Sequence, residues 1–200
     1  MTRTVQKKKR ATAIRRTGEL NGWVALTGTP GTGKSTLARR LSSDFLVVEL
    51  SDLALTLGAG RRTGRRAVEV DLPSLRRAFA RFARSSPTGL VVGHLAHFLP
   101  VRYIIVLRCH PRELARRLRR ARRSRRDRAA NVLAEALDIV LVEALTMGVP
   151  VRELDTSHRR VETVARAVAH LLLRRPAPSY GRIRWLADRR LTEELLRGTL

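Results

Sequence analysis

An α/β fold, a parallel sheet with helices on both faces, is what this 200-residue sequence predicts, and three observations carry the expectation. Five short apolar runs alternate with segments of helical periodicity, the order of a parallel sheet joined by crossover helices. A glycine-rich octapeptide, Gly28-Thr29-Pro30-Gly31-Thr32-Gly33-Lys34-Ser35, falls between the first run and the first helix. The length and the 44% apolar content suit one compact domain with a core of its own.

Trp23 to Thr27 reads as the first strand and Ser35 to Leu41 as the helix that follows its glycine-rich loop. Leu46 to Val48 is the second strand, ending at Glu49, with Ser51-Asp52 as the cap of a short helix through Leu57. Gly58 to Arg66, with glycines and four arginines, reads as a mobile loop. Asp71, followed by Pro73, opens a helix whose apolar positions Leu75, Ala78, Phe79 and Phe82 keep helical spacing. It stops at Ser85-Ser86-Pro87. Gly89 to Val92 and Tyr103 to Leu107 are short enough to be buried parallel strands. Pro111 starts a helix that runs into an arginine block, and a longer helix is expected from Asp127 to Thr146, ending before Gly148 and Pro150. Val151 to Leu154 is the fifth strand, Asp155 to Ser157 a capped loop, and Val161 to Leu173 the last core helix. From Pro176 onward the chain reads as a separate appendage with one helix from Leu186 to Leu196.

The charge is uneven. Formal net charge is +24, and three segments hold most of it. Residues 1–18 carry seven cations and no acid, residues 112–128 ten arginines against Glu113 and Asp127, and residues 174–200 seven cations against three acids. Basic segments around a near-neutral core are the footprint of a polyanion partner, because each cation that neutralises a phosphate releases condensed counterions. Solvated helix faces and a compositional preference for arginine give the same pattern. The tail has too little apolar surface to fold alone and is expected to be disordered, with RNA binding as its use; it also has the composition of a transit peptide. The single cysteine, Cys109, excludes an intrachain disulfide and reads as a small buried hydrophobe. No run reaches the length of a membrane span, so a soluble, cytoplasmic protein is expected.

The octapeptide matches G-x-x-x-x-G-K-[ST] in the strand-to-helix context its mechanism needs. Its glycines let successive N–H groups face a phosphate at a helix N-terminus. Lys34 would reach the β- and γ-phosphates of ATP, and the Ser35 hydroxyl would ligate Mg²⁺. Three of the four lysines are Lys7, Lys8 and Lys9, so the core uses arginine everywhere except at Lys34, where a compact ammonium suits a phosphate cradle. His94, just past a buried strand, would orient the attacking water or acceptor, or only hydrogen-bond within the core. His97 and His110 read as structural. Asp52 would serve a magnesium water shell or the acceptor nucleotide, or simply cap its helix. The arginines of residues 112–128 would clamp transferring phosphates or form a solvated face.

Thr27 to Thr36, Val91-Val92-Gly93-His94-Leu95-Ala96-His97, Val106-Leu107-Arg108-Cys109-His110-Pro111 and Asn131 through Glu143 to Leu145 resemble the archaeal adenylate kinase isoenzyme 6 family over about Trp23 to Leu173. The resemblance implies a P-loop NTPase fold with five parallel strands and short lid and monophosphate-binding segments. It also implies adenylate or broad nucleoside monophosphate kinase and ATPase activity, and a role in late maturation of the small ribosomal subunit through a ribosomal protein, uS11. By it Gly28, Gly31, Thr32, Gly33, Lys34, Ser35 and Thr36 bind ATP, Lys34 and His94 act in catalysis, Glu49 to about Leu72, which includes Asp52, covers the monophosphate, and Arg120 to about Ala130 forms the lid, with Arg120 and Arg122 as its candidate contacts. Residues 1–18 are then a basic tail, 19–175 the kinase-like domain and 176–200 a basic appendage. Two positions depart from the family: Val92 stands where it has an acid near the magnesium site, and Ala121 where its lid arginine falls. The other readings from the residues are a ribosome-assembly ATPase that uses ATP as a switch, and a small-metabolite kinase.

Overall fold

The computed structural model describes residues 22–64, 67–86, 88–174, 177–198 and 200. The basic tail at residues 1–18 lies outside the described residues.

The core is the five-stranded parallel sheet of a P-loop NTPase. In chain order the strands are β1 (Trp23–Gly28), β2 (Val47–Glu49), β5 (Gly89–Val92), β6 (Tyr103–Arg108) and β7 (Val151–Asp155), arranged β2-β5-β1-β6-β7. β1, β5 and β6 are buried at every position, because helices cover both faces and a doubly covered strand has no solvent side for polar residues. Helices α1 (Lys34–Leu41) and α7 (Val161–Arg174) lie on one face, over Val24, Leu26, Val92, Ile105 and Leu107. On the other, α2 (Leu50–Thr56), α3 (Leu72–Ser85) and α6 (Ile139–Leu145) cover Trp23, Ala25, Val91, Ile104 and Val106. The N-cap of α3 is Asp71, whose carboxylate accepts the Ser74 N–H.

Three local expectations are corrected. The Gly58–Arg66 loop instead contains β3 (Gly60–Arg62), which pairs antiparallel with β4 (Val68–Val70); Arg65 and Arg66 lie outside the described residues. The signal was the alternation Val68-Glu69-Val70, which half-buries both valines. The single helix from Asp127 to Thr146 is two helices, α5 (Arg125–Ala136) and α6, separated by Asp138 in the left-handed conformation at φ 58°. Its carboxylate is drawn onto the buried Arg108 guanidinium, which offsets the local strain. Third, the C-terminal segment is not separate. Ser179 bonds the β7 backbone through the Val151 carbonyl and the Glu153 N–H at 3.2 and 3.0 Å, the Glu153 carboxylate accepts the N–H groups of Arg182 and Ile183, and Leu191 on α8 (Arg189–Leu196) is fully buried. Those backbone groups pair with β7, which is otherwise an edge strand.

Cys109 sits in a small cluster with Leu114, Leu118 and Val132, between β6, α4 (Pro111–Arg120) and α5. It has no exposed surface, and burial pushes its thiol up to about 12. A thiol reagent at pH 8 is therefore expected to label the native protein only as fast as the chain opens, and denatured protein at once. Rapid stoichiometric labelling of folded protein would show that this cluster is open.

Candidate nucleotide site

The site forms at the C-terminal ends of the parallel strands, where the order reverses direction around β1 and leaves a crevice. β1 ends at Gly28, whose φ of 139° and contact with the Leu107 backbone carbonyl leave no room for a Cβ. The chain then turns through residues 29–33 and enters α1 from Gly33, at φ 105°, a left-handed N-cap that a side chain would strain. Inside the turn, Thr32 is buried and its hydroxyl donates to the Thr29 carbonyl at 2.9 Å. The Thr29 hydroxyl donates to the buried carboxylate of Glu135 on α5 at 2.5 Å. The Lys34 ammonium donates to the carbonyls of Gly28 and Thr29 at 2.6 and 2.9 Å. Burial lowers its pKa to about 8, against the opposing charges of Glu135 and Glu49.

A cavity of about 970 Å³ opens over this loop. Gly31, Thr32, Gly33, Lys34, Ser35 and Thr36 line it, and so does His94, in the turn after β5. The Thr27 hydroxyl, 3.0 Å from the His94 carbonyl, ties that turn to β1. Partial burial, and then the Lys34 charge, lower the pKa of His94, so the imidazole is neutral near pH 7 and free to accept a proton. His97 is buried, with Nδ1 2.9 Å from the Thr27 hydroxyl. Gly28 closes the loop from the buried end of β1. The predicted loop residues and His94 are thus brought together.

Asp52 and the two lid arginines are not. Asp52 lies exposed in the first turn of α2, outside the cavity lining, and the N-cap of that helix is Glu49 rather than Ser51 or Asp52. The acid that lines the cavity on this side is Glu49, at the end of β2. Burial raises its pKa, against the opposing influence of the Ser35 hydroxyl and the Lys34 and Arg39 charges. An acid at the C-terminal end of a strand flanking the loop was the available sequence signal. Arg120 and Arg122 are exposed and line nothing in the cavity; Arg117, Ala121 and Arg123 do. Helical spacing explains it: Arg117 and Ala121 share a face of α4 at i, i+4. The helix then ends in a Schellman turn, with Arg122 at φ 55° and bonds from the N–H of Arg123 to Leu118 and of Arg122 to Arg119, which brings Arg123 back over the cavity. Arg117 is held by Glu113 at 2.9 Å and by the Thr156 carbonyl at 2.8 Å. Arg159, Asp127 and Asn131 complete that wall.

The arrangement offers backbone N–H groups at a helix N-terminus, one ammonium and three guanidinium groups, which is chemistry for a polyphosphate. The hard oxygens at Ser35 and Glu49 are the donor type that Mg²⁺ takes. Among the described residues no helix is long and apolar enough to cross a membrane.

Comparison with known proteins agrees with this geometry. Residues 24–138 match the family model described as AAA domain. A protein of Thermococcus onnurineus is 36% identical over 167 residues, covering 81% of this chain and 90% of its own length. One of Archaeoglobus fulgidus is 38% identical over 170 residues, covering 82% and 92%. Both are named "Putative adenylate kinase". The crystal structure of an uncharacterized protein from Eubacterium ventriosum superposes with a TM-score of 0.50 at 10% identity, covering 76% of this chain and 98% of that one, which speaks to the fold alone. With a family match over more than half its length and archaeal relatives this similar over four fifths of it, the chain belongs to the adenylate kinase-like family of P-loop proteins found in archaea.

Proposed function

We propose that the protein is a nucleoside monophosphate kinase that catalyses ATP + AMP = 2 ADP, accepts other monophosphates, and hydrolyses ATP when no acceptor is bound. The observation that carries this reading is the continuity of the cavity. It runs from the phosphate loop to Ser51, Val68 and Val70, beside the β3–β4 hairpin, leaving space for an acceptor next to the γ-phosphate. Lys34 and the loop N–H groups hold the β- and γ-phosphates, while Arg117, Arg123 and Arg159 meet charge on the transferring group. Phosphoryl transfer asks for positioning and charge stabilisation rather than covalent chemistry, so this set is sufficient. His94, neutral and in the same cavity lining as Lys34, is placed to orient the attacking hydroxyl or water. The Ser35 hydroxyl would ligate Mg²⁺, which when bound neutralises charge on the β- and γ-oxygens.

A coupled assay with ATP alone, and with AMP, CMP or UMP added, tests the proposal. Turnover that rises at least about 10-fold with one monophosphate is the expected result for a kinase whose acceptor completes the site. Hydrolysis of ATP that no monophosphate accelerates would overturn it in favour of the second reading, a nucleotide-driven switch that holds RNA or the small ribosomal subunit. That reading is favoured by Arg119, Arg120, Arg125 and Arg126, which are exposed and outside the cavity.

A further inference from the structure

In P-loop proteins the metal is held by the loop hydroxyl together with a carboxylate at the end of a core strand. Here the strand beside β1 on the α2 side, β5, ends in Val92, which is apolar and fully buried. The parallel register between β2 and β5 sets Glu49 directly opposite Val92. The carboxylate absent from one strand therefore stands one strand over, at the same level of the sheet. It is half-buried and lines the cavity together with Ser35. Among the described residues the only other acid lining the cavity is Asp127, in the first turn of α5. Asp52 is exposed and outside the lining.

A carboxylate partly withdrawn from water costs free energy unless a cation or donors compensate it. The Lys34 and Arg39 charges compensate it through space, and a divalent ion between Glu49, Ser35 and the phosphates would compensate it directly. We infer that Glu49 is the carboxylate with which this chain anchors Mg²⁺, in partnership with Ser35, in place of an acid at position 92. The inference rests on the nucleotide reading of the cavity but not on the identity of the acceptor.

Mn²⁺ is the probe, because its free-ion paramagnetic resonance signal reports binding directly. It is titrated into the full-length protein held with the non-hydrolysable analogue adenylyl imidodiphosphate. Glu49→Gln is expected to weaken Mn²⁺ affinity about 10- to 100-fold, the scale seen when a supporting group of a metal site is removed. Glu49→Asp, which keeps the charge, should retain most of the affinity. Affinity for the analogue in excess chelator should not fall in either variant, since no ligand to the phosphates is lost. Wild-type Mn²⁺ affinity in Glu49→Gln, or loss on Asp52→Asn instead, overturns the assignment. Equal loss in the Gln and Asp variants with a lowered melting temperature also overturns it, by making Glu49 a packing residue. A wild-type protein that binds Mn²⁺ through Glu49 yet transfers phosphate to no monophosphate would sink the kinase reading alone. Full kinase activity with unaltered Mn²⁺ affinity in Glu49→Gln would sink this inference alone.

Discussion

Lys34→Ala is expected to lower both phosphoryl transfer and ATP hydrolysis at least about 100-fold, the scale of losing one preorganised charge contact to the transition state. The ammonium stands at the N-terminus of α1, within a loop whose backbone is fixed by the Thr32 and Thr29 hydroxyls as well as by Lys34 itself. Its removal frees the carbonyls of Gly28 and Thr29, but the Thr29 carbonyl keeps the Thr32 hydroxyl and N–H as donors, and the vacated ammonium position opens onto the cavity, where water can enter. Its burial is also costly, as its lowered pKa shows, so the melting temperature should change little. Steady-state turnover and a thermal melt on the same preparation separate the two effects. Near-wild-type turnover would remove the phosphate loop from the chemistry. A collapse of stability would mean that Lys34 holds the loop together, leaving its catalytic part unmeasured by this variant and better read from Lys34→Met.

The strands and the phosphate loop were legible because both write themselves into local sequence. Buried parallel strands are continuous apolar runs, and the loop is a spaced set of glycines ahead of Lys34 and Ser35. Less legible were the features that depend on what lies opposite in space. Glu49 is an unremarked strand end until register places it across from Val92. The choice of Arg117 and Arg123 over Arg120 and Arg122 turns on the phase of α4 and on a left-handed residue, Arg122, that an arginine gives no warning of. Composition suggested a loop at residues 58–66 because three glycines and four arginines outweighed the two-residue alternation of Val68 and Val70 that follows. The break at Asp138 and the docking of the C-terminal segment share one cause, the buried carboxylates gathered around Arg108. Those contacts join residues 27 to 45 positions apart, and no periodicity records them.

Arg108→Met is expected to destabilise the protein by about 3–5 kcal/mol, the range for breaking a buried ion pair from one side. Arg108 is 1% exposed, and it meets Glu135 at 2.8 Å, Glu153 at 3.1 Å and the Asp138 carboxylate. One cation thus serves three carboxylates, two of which, Glu135 and Glu153, have side chains only 2% and 4% exposed. Methionine fills much of the arginine volume, so the loss is electrostatic rather than a cavity. The carboxylates keep some donors: Glu135 retains the Cys109 N–H, Thr29 and Trp185, and Glu153 the N–H groups of Arg182 and Ile183. By contrast the exposed pair Arg61–Glu69 at 2.8 Å is worth at most about 1 kcal/mol, so Arg61→Ala is the matched control. Urea unfolding reads the stability. Cys109 labelling reads it a second way, and should speed up at least about 100-fold, since each 1.4 kcal/mol is a factor of ten in the opening equilibrium. Adding Glu135→Gln and Glu153→Gln to Arg108→Met should recover part of the loss, because the amides keep acceptor oxygens for the same donors without leaving charge buried. Such recovery marks the network as electrostatically coupled, as a mutant cycle requires. A further loss on adding the amides would mean that the carboxylates are satisfied by their N–H donors without Arg108, and that the arginine contributes packing alone.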